Sequence, residues 1–305
     1  MFWLRVFVGL GILGLILSRV DVGAVGIRPT PSLLAAIVGA TGLWITSQAV
    51  AALRWKLILD DDTLPWIYLL RLYIIGTFFG LFLPTSVGGD AVRAAATARS
   101  VECGGRAIAS VLLDRGFGVL ATVGYAGLGL ILAPHSLAIL GHAVRWHVPA
   151  VAVVGLGVLG AGVTLLILCR SKRARRIWLD GLACLRDLVR SPNRLLGVAA
   201  LAVASQGLLV LLWYTLSQGM NFGLPASTLF WAVPVVSLSA LLPVTFAGLG
   251  VREGAWLILL AGSPIPPASI VAFSLLYFVC NVLVGVTGGV LFVSSGLAVS
   301  PRQAL

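Results

Sequence analysis

The chain has 305 residues, of which 59% are hydrophobic and 10% charged, against about 25% charged in an ordinary soluble domain. With a mean hydropathy of +1.07 it lacks the polar surface that a water-soluble enzyme of this size needs, and that class is excluded. The net charge of +11 gathers largely in one place, with eight basic residues between Arg170 and Arg194. In a membrane protein such a cluster marks a cytoplasmic loop facing anionic lipid, not a nucleic-acid site.

The apolar residues come in runs of roughly 18 or more, long enough to cross a ~30 Å hydrocarbon core as helices. They do not alternate with polar residues as barrel strands would. The polar stretch 170–194 is too short to fold alone, so residues 1–305 read as a single transmembrane domain. Cys103, Cys169, Cys184 and Cys280 have no paired spacing, and no disulfide framework is expected.

In chain order, the first apolar run follows Arg5 and is short enough for a signal peptide. No clean small-x-small cleavage site comes before Arg28-Pro29, so it reads as a spanning helix over about 3–20. Pro31–Leu53 is predicted as the second helix, ending in Arg54-Trp55-Lys56 and the acidic run Asp60-Asp61-Asp62. The apolar segment 66–83 runs into Pro84-Thr85-Ser86-Val87-Gly88-Gly89-Asp90-Ala91-Val92-Arg93. Residues 106–132 are predicted helical and carry Asp114-Arg115; 146–169 is another span, followed by the basic loop. Residues 194–217 form a span, and 226–242 runs into Pro243-Val244-Thr245-Phe246-Ala247-Gly248-Leu249-Gly250-Val251-Arg252-Glu253. A Pro-rich turn at 263–267 precedes the last helix, 268–297.

Lys and Arg in short loops set orientation. With the basic loop inside, Arg54 and Lys56 count inside, and so do both termini through Arg5 and Arg302. Trp55, Trp66, Trp146 and Trp178 fall where amphipathic rings favour the membrane interface.

Two segments read alike. Leu83-Pro84 and Leu242-Pro243 are each followed, nine residues after the proline, by Val92-Arg93 or Val251-Arg252, with Gly89 and Gly248 in matching register. The repeat units span about 31–132 and 194–297, and the odd helix between them turns the second over. The predicted fold is an all-α polytopic membrane protein with about six spanning helices and two re-entrant helical hairpins in an inverted-topology repeat. Proline breaks each hairpin and glycine permits the turn. Backbone left unpaired at that depth needs protein or a watery cavity beside it.

The second half-helix of each hairpin is expected to start near Gly89 or Gly248, its N-terminus attracting anions. Arg93 and Arg252 then lie in about the first turn, positioned for a phosphate-bearing headgroup. Asp90, Arg93, Asp114, Arg115, Arg252 and Glu253 fall at membrane depth and sum to zero charge. Each costs about 2.5–3.5 kcal/mol at a helix centre, so intramembrane charge points to function. Pairing that only holds the bundle together is the competing reading.

Other signals carry less. The G-x-G-x-x-G patterns at Gly9 and Gly155 lie inside apolar runs and read as helix-packing glycines, as does Gly285–Gly289. His135, His142 and His147 lack matching ligands, so no metal and no cofactor is expected. Between Arg175 and Arg190, Trp178, Leu182, Leu185 and Val189 share one helical face, which suits an amphipathic helix on anionic lipid.

The stretch from Phe82 to Arg93 resembles the "LP…GGDxxR" segment of the flippase-like family, whose best-known member is the transmembrane region of lysylphosphatidylglycerol synthase, the multiple peptide resistance factor. Leu242-Pro243 through Gly248, Gly250, Arg252 and Glu253 resembles the family's "LP…GxGxRE" segment, and Ala52–Lys56 and Val111–Arg115 resemble further recurring stretches. The resemblance implies a bacterial or archaeal inner-membrane protein that moves a phospholipid, aminoacylated lipid, hopanoid or prenol-linked lipid between leaflets. A headgroup site then includes Pro84, Gly88, Gly89, Asp90, Arg93, Asp114, Arg115, Pro243, Gly248, Gly250, Arg252 and Glu253. The soluble aminoacyl-transferase domain of the best-known member has no counterpart in these residues, so no synthase activity is carried over.

The expected function is therefore lipid transport without enzymatic activity, with anionic or phosphate-bearing membrane lipids as partners and no nucleic acid. A membrane-embedded transferase and an accessory subunit of a lipid-synthesis complex remain as alternatives, and self-association stays open.

Overall fold

The structure is a computed structural model, and it describes residues 30–82, 88–100, 104–132, 172–241 and 248–295, with Gly14. The predicted helices at 3–20 and 146–169, the outer loop with its three histidines, Pro84, Pro243, Cys103, Cys169 and both termini lie outside the described residues.

Every regular element among the described residues is helical. They are α1 (Pro31–Leu59), α2 (Trp66–Phe82), α3 (Gly88–Ala98), α4 (Gly104–Leu132), α5 (Lys172–Val189), α6 (Pro192–Gly219), α7 (Ala226–Ala240), α8 (Val251–Leu259) and α9 (Pro267–Ser295). Four of these, α1, α4, α6 and α9, are long and apolar enough to cross a membrane. The chain is a multi-pass helical membrane protein. Helices α2 and α7 have 17 and 15 residues. At 1.5 Å per residue they reach about 25 Å or less, short of a full ~30 Å crossing.

Local chemistry sets the helix ends. Thr30 caps α1 by accepting the Leu33 N–H at 3.2 Å, with Pro31 at the first helical position. Asp60 ends α1 in the left-handed region at φ 53°. That end is six residues later than the sequence suggested, because Arg54 is not a loop charge but continues the helix into the protein.

The helices pair in a pattern that exchanges the two halves. Helices α1 and α6 pack along their length, α4 packs on α7, and α9 packs on α2. The α1–α6 pair is antiparallel. Gly39 near the start of α1 faces Thr215 near the end of α6, while Leu57 near the end of α1 faces Gly197 near the start of α6. Lipid tails are as apolar as leucine, so close packing rather than hydrophobicity joins such helices. Glycines supply it. A Cβ on Gly129 of α4 would stand 2.8 Å from the Trp231 backbone on α7, and on α9 Gly285, Gly288 and Gly289 give room to Leu81, Ile74 and Phe78 of α2. The helix-packing reading of Gly285–Gly289 holds.

Helix α5 forms within the basic stretch, as the apolar stripe implied. Its inner face carries Cys184 and Leu188, buried with Ile58 and Val198, and Gly181 lies against Ala109 of α4. Trp178, Leu182 and Val189 are exposed and Leu185 is half-buried.

Trp55 is not an interfacial ring. It is fully buried, and its indole N–H donates to the Ser110 hydroxyl at 3.0 Å. A buried partner on α4 satisfies the polar edge that would otherwise favour headgroups.

Candidate functional site

Both Pro-Gly segments meet at one cavity of about 360 Å³. Gly89, Asp90 and Arg93 line it from the first, and Gly248 and Arg252 from the second. Arg115 joins them from α4. Gln48 on α1 and Asn281 on α9 also line it, and each stands near the middle of a 29-residue helix. The cavity is therefore at mid-span depth.

Two glycines bring α2 and α3 together. A Cβ on Gly89 would run into the carbonyl of Gly76 on α2, so glycine permits the backbones of α2 and α3 to touch. Helix α3 starts at Gly88, which puts Asp90 in its first turn and Arg93 in its second. The second Pro-Gly segment differs. Helix α8 starts at Val251, later than Gly248, because Gly248 and Gly250 hold φ of 74° and 84° in the turn before it. Arg252 consequently sits in the first turn of α8, nearer its N-terminus than Arg93 is to that of α3.

Asp114 organises the charges on the α3 side. Its Oδ1 accepts from Arg54 Nε at 2.7 Å, and its Oδ2 accepts from Arg93 Nη2 at 3.2 Å and from the Tyr73 hydroxyl. Arg93 is buried, lying 3.7 Å over the Tyr73 ring and 4.8 Å from that of Trp55. Its Nη2 also lies 3.5 Å from Asp90 Oδ1, the i,i+3 pair visible in the sequence. Asp90 Oδ2 accepts from Arg115 Nη1.

The α8 side is built on one buried carboxylate. Glu253 Oε2 accepts the Gly250 N–H at 2.5 Å and closes the N-terminus of α8. Its Oε1 accepts from the Ser274 hydroxyl of α9 at 2.7 Å. Arg252 lies with its guanidinium carbon 4.7 Å from the Tyr277 ring. Gly88, Gly250, Asp114 and Glu253 thus stand behind the cavity and position the groups that face it.

Arg54 escaped the sequence reading. The loop charge count puts it on the cytoplasmic side beyond the helix end, yet it is 5% exposed and ion-paired to Asp114. Adding it makes four arginines against three carboxylates and leaves one positive charge where neutrality was expected. Tyr73, Tyr277, Gln48 and Asn281 were missed too, because a lone aromatic or amide in an apolar run carries no spacing signal. Among the described residues no three His, Cys, Asp or Glu side chains gather as a metal site.

The sequence model of the lysylphosphatidylglycerol synthase transmembrane region matches residues 2–289. The chain belongs to this family. The match covers both Pro-Gly segments and every residue of the cavity, so the lysylphosphatidylglycerol synthase transmembrane family is the setting in which the arginine cluster is read. Comparison with curated proteins finds no match.

Proposed function

We propose that this protein is a lipid transporter without enzymatic activity in a bacterial or archaeal inner membrane, and that it moves a lipid with a phosphate-bearing headgroup between leaflets. The observation that carries this reading is the convergence of Arg93, Arg115 and Arg252 from separate elements on one cavity at mid-span depth. Intramembrane arginines are costly and mark substrate paths. Arginine forks suit phosphate oxygens.

The two halves are read as an inverted-topology repeat, with α1, α2, α3 and α4 matched to α6, α7, α8 and α9. The antiparallel α1–α6 pair and the exchange of α4–α7 for α9–α2 packing support this. So does the shortness of α2 and α7, which suits hairpins entering from opposite faces. Alternating access then rocks one half against the other around a fixed site. Helix α5 is placed on the cytoplasmic leaflet, its exposed Trp178, Leu182 and Val189 in the interface and Arg175, Arg176 and Arg186 toward anionic headgroups.

Transport is favoured over a transferase because the acids here are engaged. Asp90 accepts from Arg115, and both Glu253 oxygens are held by Gly250 and Ser274. A general base needs a carboxylate within reach of a substrate proton. Native mass spectrometry of the purified protein with mixed phospholipids tests the headgroup site. Retained anionic phospholipid in the wild type and its loss in Arg252→Gln are expected; equal retention by both would remove the reading.

A further inference from the structure

The charge inventory of the cavity limits what it can hold. Asp114 is shared by Arg54 and Arg93 behind it, and Glu253 lies fully buried next to Arg252 in sequence. Among the described lining residues, Arg93, Arg115 and Arg252 face the cavity together with one carboxylate, Asp90. Counted together, the described groups carry four positive and three negative charges.

Asp90 stands where an incoming anion would bind. It is in the first turn of α3, at the positive end of that helix. Its two oxygens engage two of the three cavity arginines, Arg93 at 3.5 Å and Arg115. An arginine presents five donors, so each can keep Asp90 on one edge and offer another edge to a ligand. One ligand negative charge brings the site to neutrality. A second would be left without a counter-charge beside Asp90, and like charges held that close repel.

Resting on the phosphate-headgroup reading above, we infer that Asp90 is a specificity-determining residue: it restricts the cavity to headgroups with one negative charge, a phosphodiester, and rejects diphosphates. Asp90 acts as a resident anion that fills the place a second phosphate would take. Its removal raises the capacity of the site to two charges.

The test uses the full chain in phosphatidylcholine nanodiscs at neutral pH, with dihexanoylphosphatidylglycerol as the phosphodiester probe and farnesyl diphosphate as the diphosphate probe. Wild type is expected to bind the phosphodiester at least about tenfold more tightly. Asp90→Glu, which keeps the charge, should preserve that ratio, and Asp90→Asn should lower it at least severalfold. Equal wild-type binding of the two probes, or an unchanged ratio in a folded Asp90→Asn protein, would overturn the inference. The wild-type ratio together with Asp90→Glu decides the matter if Asp90→Asn does not fold. Binding of neither probe would instead overturn the phosphate reading itself, and this inference with it.

Discussion

Asp114 and Tyr277 occupy the same place in two different helices, each the eleventh residue of a 29-residue span. Each supports the arginine of its own Pro-Gly segment. Asp114 Oδ2 holds Arg93 Nη2 at 3.2 Å, and the Tyr277 ring lies 4.7 Å from the Arg252 guanidinium carbon. Arg93 is held by Asp114, Asp90 and two rings, and the Tyr277 ring face lies against Arg252.

Asp114→Asn removes the shared acceptor of Arg54, Arg93 and the Tyr73 hydroxyl. Buried Arg54 then loses the carboxylate it is paired with and buried Arg93 keeps Asp90 alone, which costs about 3–5 kcal/mol. The expected outcome is a large fall in the thermal midpoint in detergent, larger than for Asp90→Asn, whose carboxylate is 17% exposed at the cavity. An unchanged midpoint would mean the buried network contributes little to stability.

Gly89→Ala forces a methyl group against the Gly76 carbonyl and separates α2 from α3. A cost of about 1–3 kcal/mol is expected from such overpacking. Gly124→Ala is the control, since nothing lies within 4 Å of a Cβ there and alanine is the better helix former. Chemical denaturation of both variants should show loss for the first and none for the second.

Much of this arrangement was legible in the sequence. The matched Pro, Gly and Val-Arg positions pointed to both cavity-lining segments, because proline and glycine interrupt an apolar helix in ways a periodic pattern cannot hide. Arg54 was not legible. Followed by Trp55-Lys56 and three aspartates, it looked like a helix end, and only its distant partner Asp114 explains its burial. The start of α8 was misplaced for a similar reason. Sequence marks Gly248 and Gly250 as turn residues, but their left-handed backbone shifts the helix start past both.

The proposed inverted repeat predicts opposite accessibility for the two Pro-Gly segments. Arg99, just after α3, and Ala261, just after α8, are both exposed. Cysteine at each position in turn, in a cysteine-free background, should react with an impermeant thiol reagent from opposite faces of the membrane. Labelling of both from one face would contradict the inversion.

Cys184, on the inner face of α5, donates its thiol to the Ile58 carbonyl at 3.3 Å. Burial pushes this thiol above its ordinary value, with Asp187 and Asp60 adding to the rise and Arg106 and Arg194 opposing it. The folded state therefore holds the thiol proton more tightly than the unfolded chain does. Its contribution to stability is full below the ordinary thiol value and is lost as pH rises through the folded one. Maleimide should react slowly with Cys184 in the folded protein and rapidly after denaturation; fast labelling of the folded state would show that α5 does not shield it.

The most direct test of the account is lipid translocation by the purified chain in vesicles, following a fluorescent phosphatidylglycerol from one leaflet to the other. Wild type should move it well above the protein-free rate, Arg252→Gln should fall to that rate with its fold intact, and Arg252→Lys should recover only part, because an ammonium lacks the planar fork that grips two phosphate oxygens. Translocation by folded Arg252→Gln at the wild-type rate would contradict the claim that this cavity carries the headgroup across.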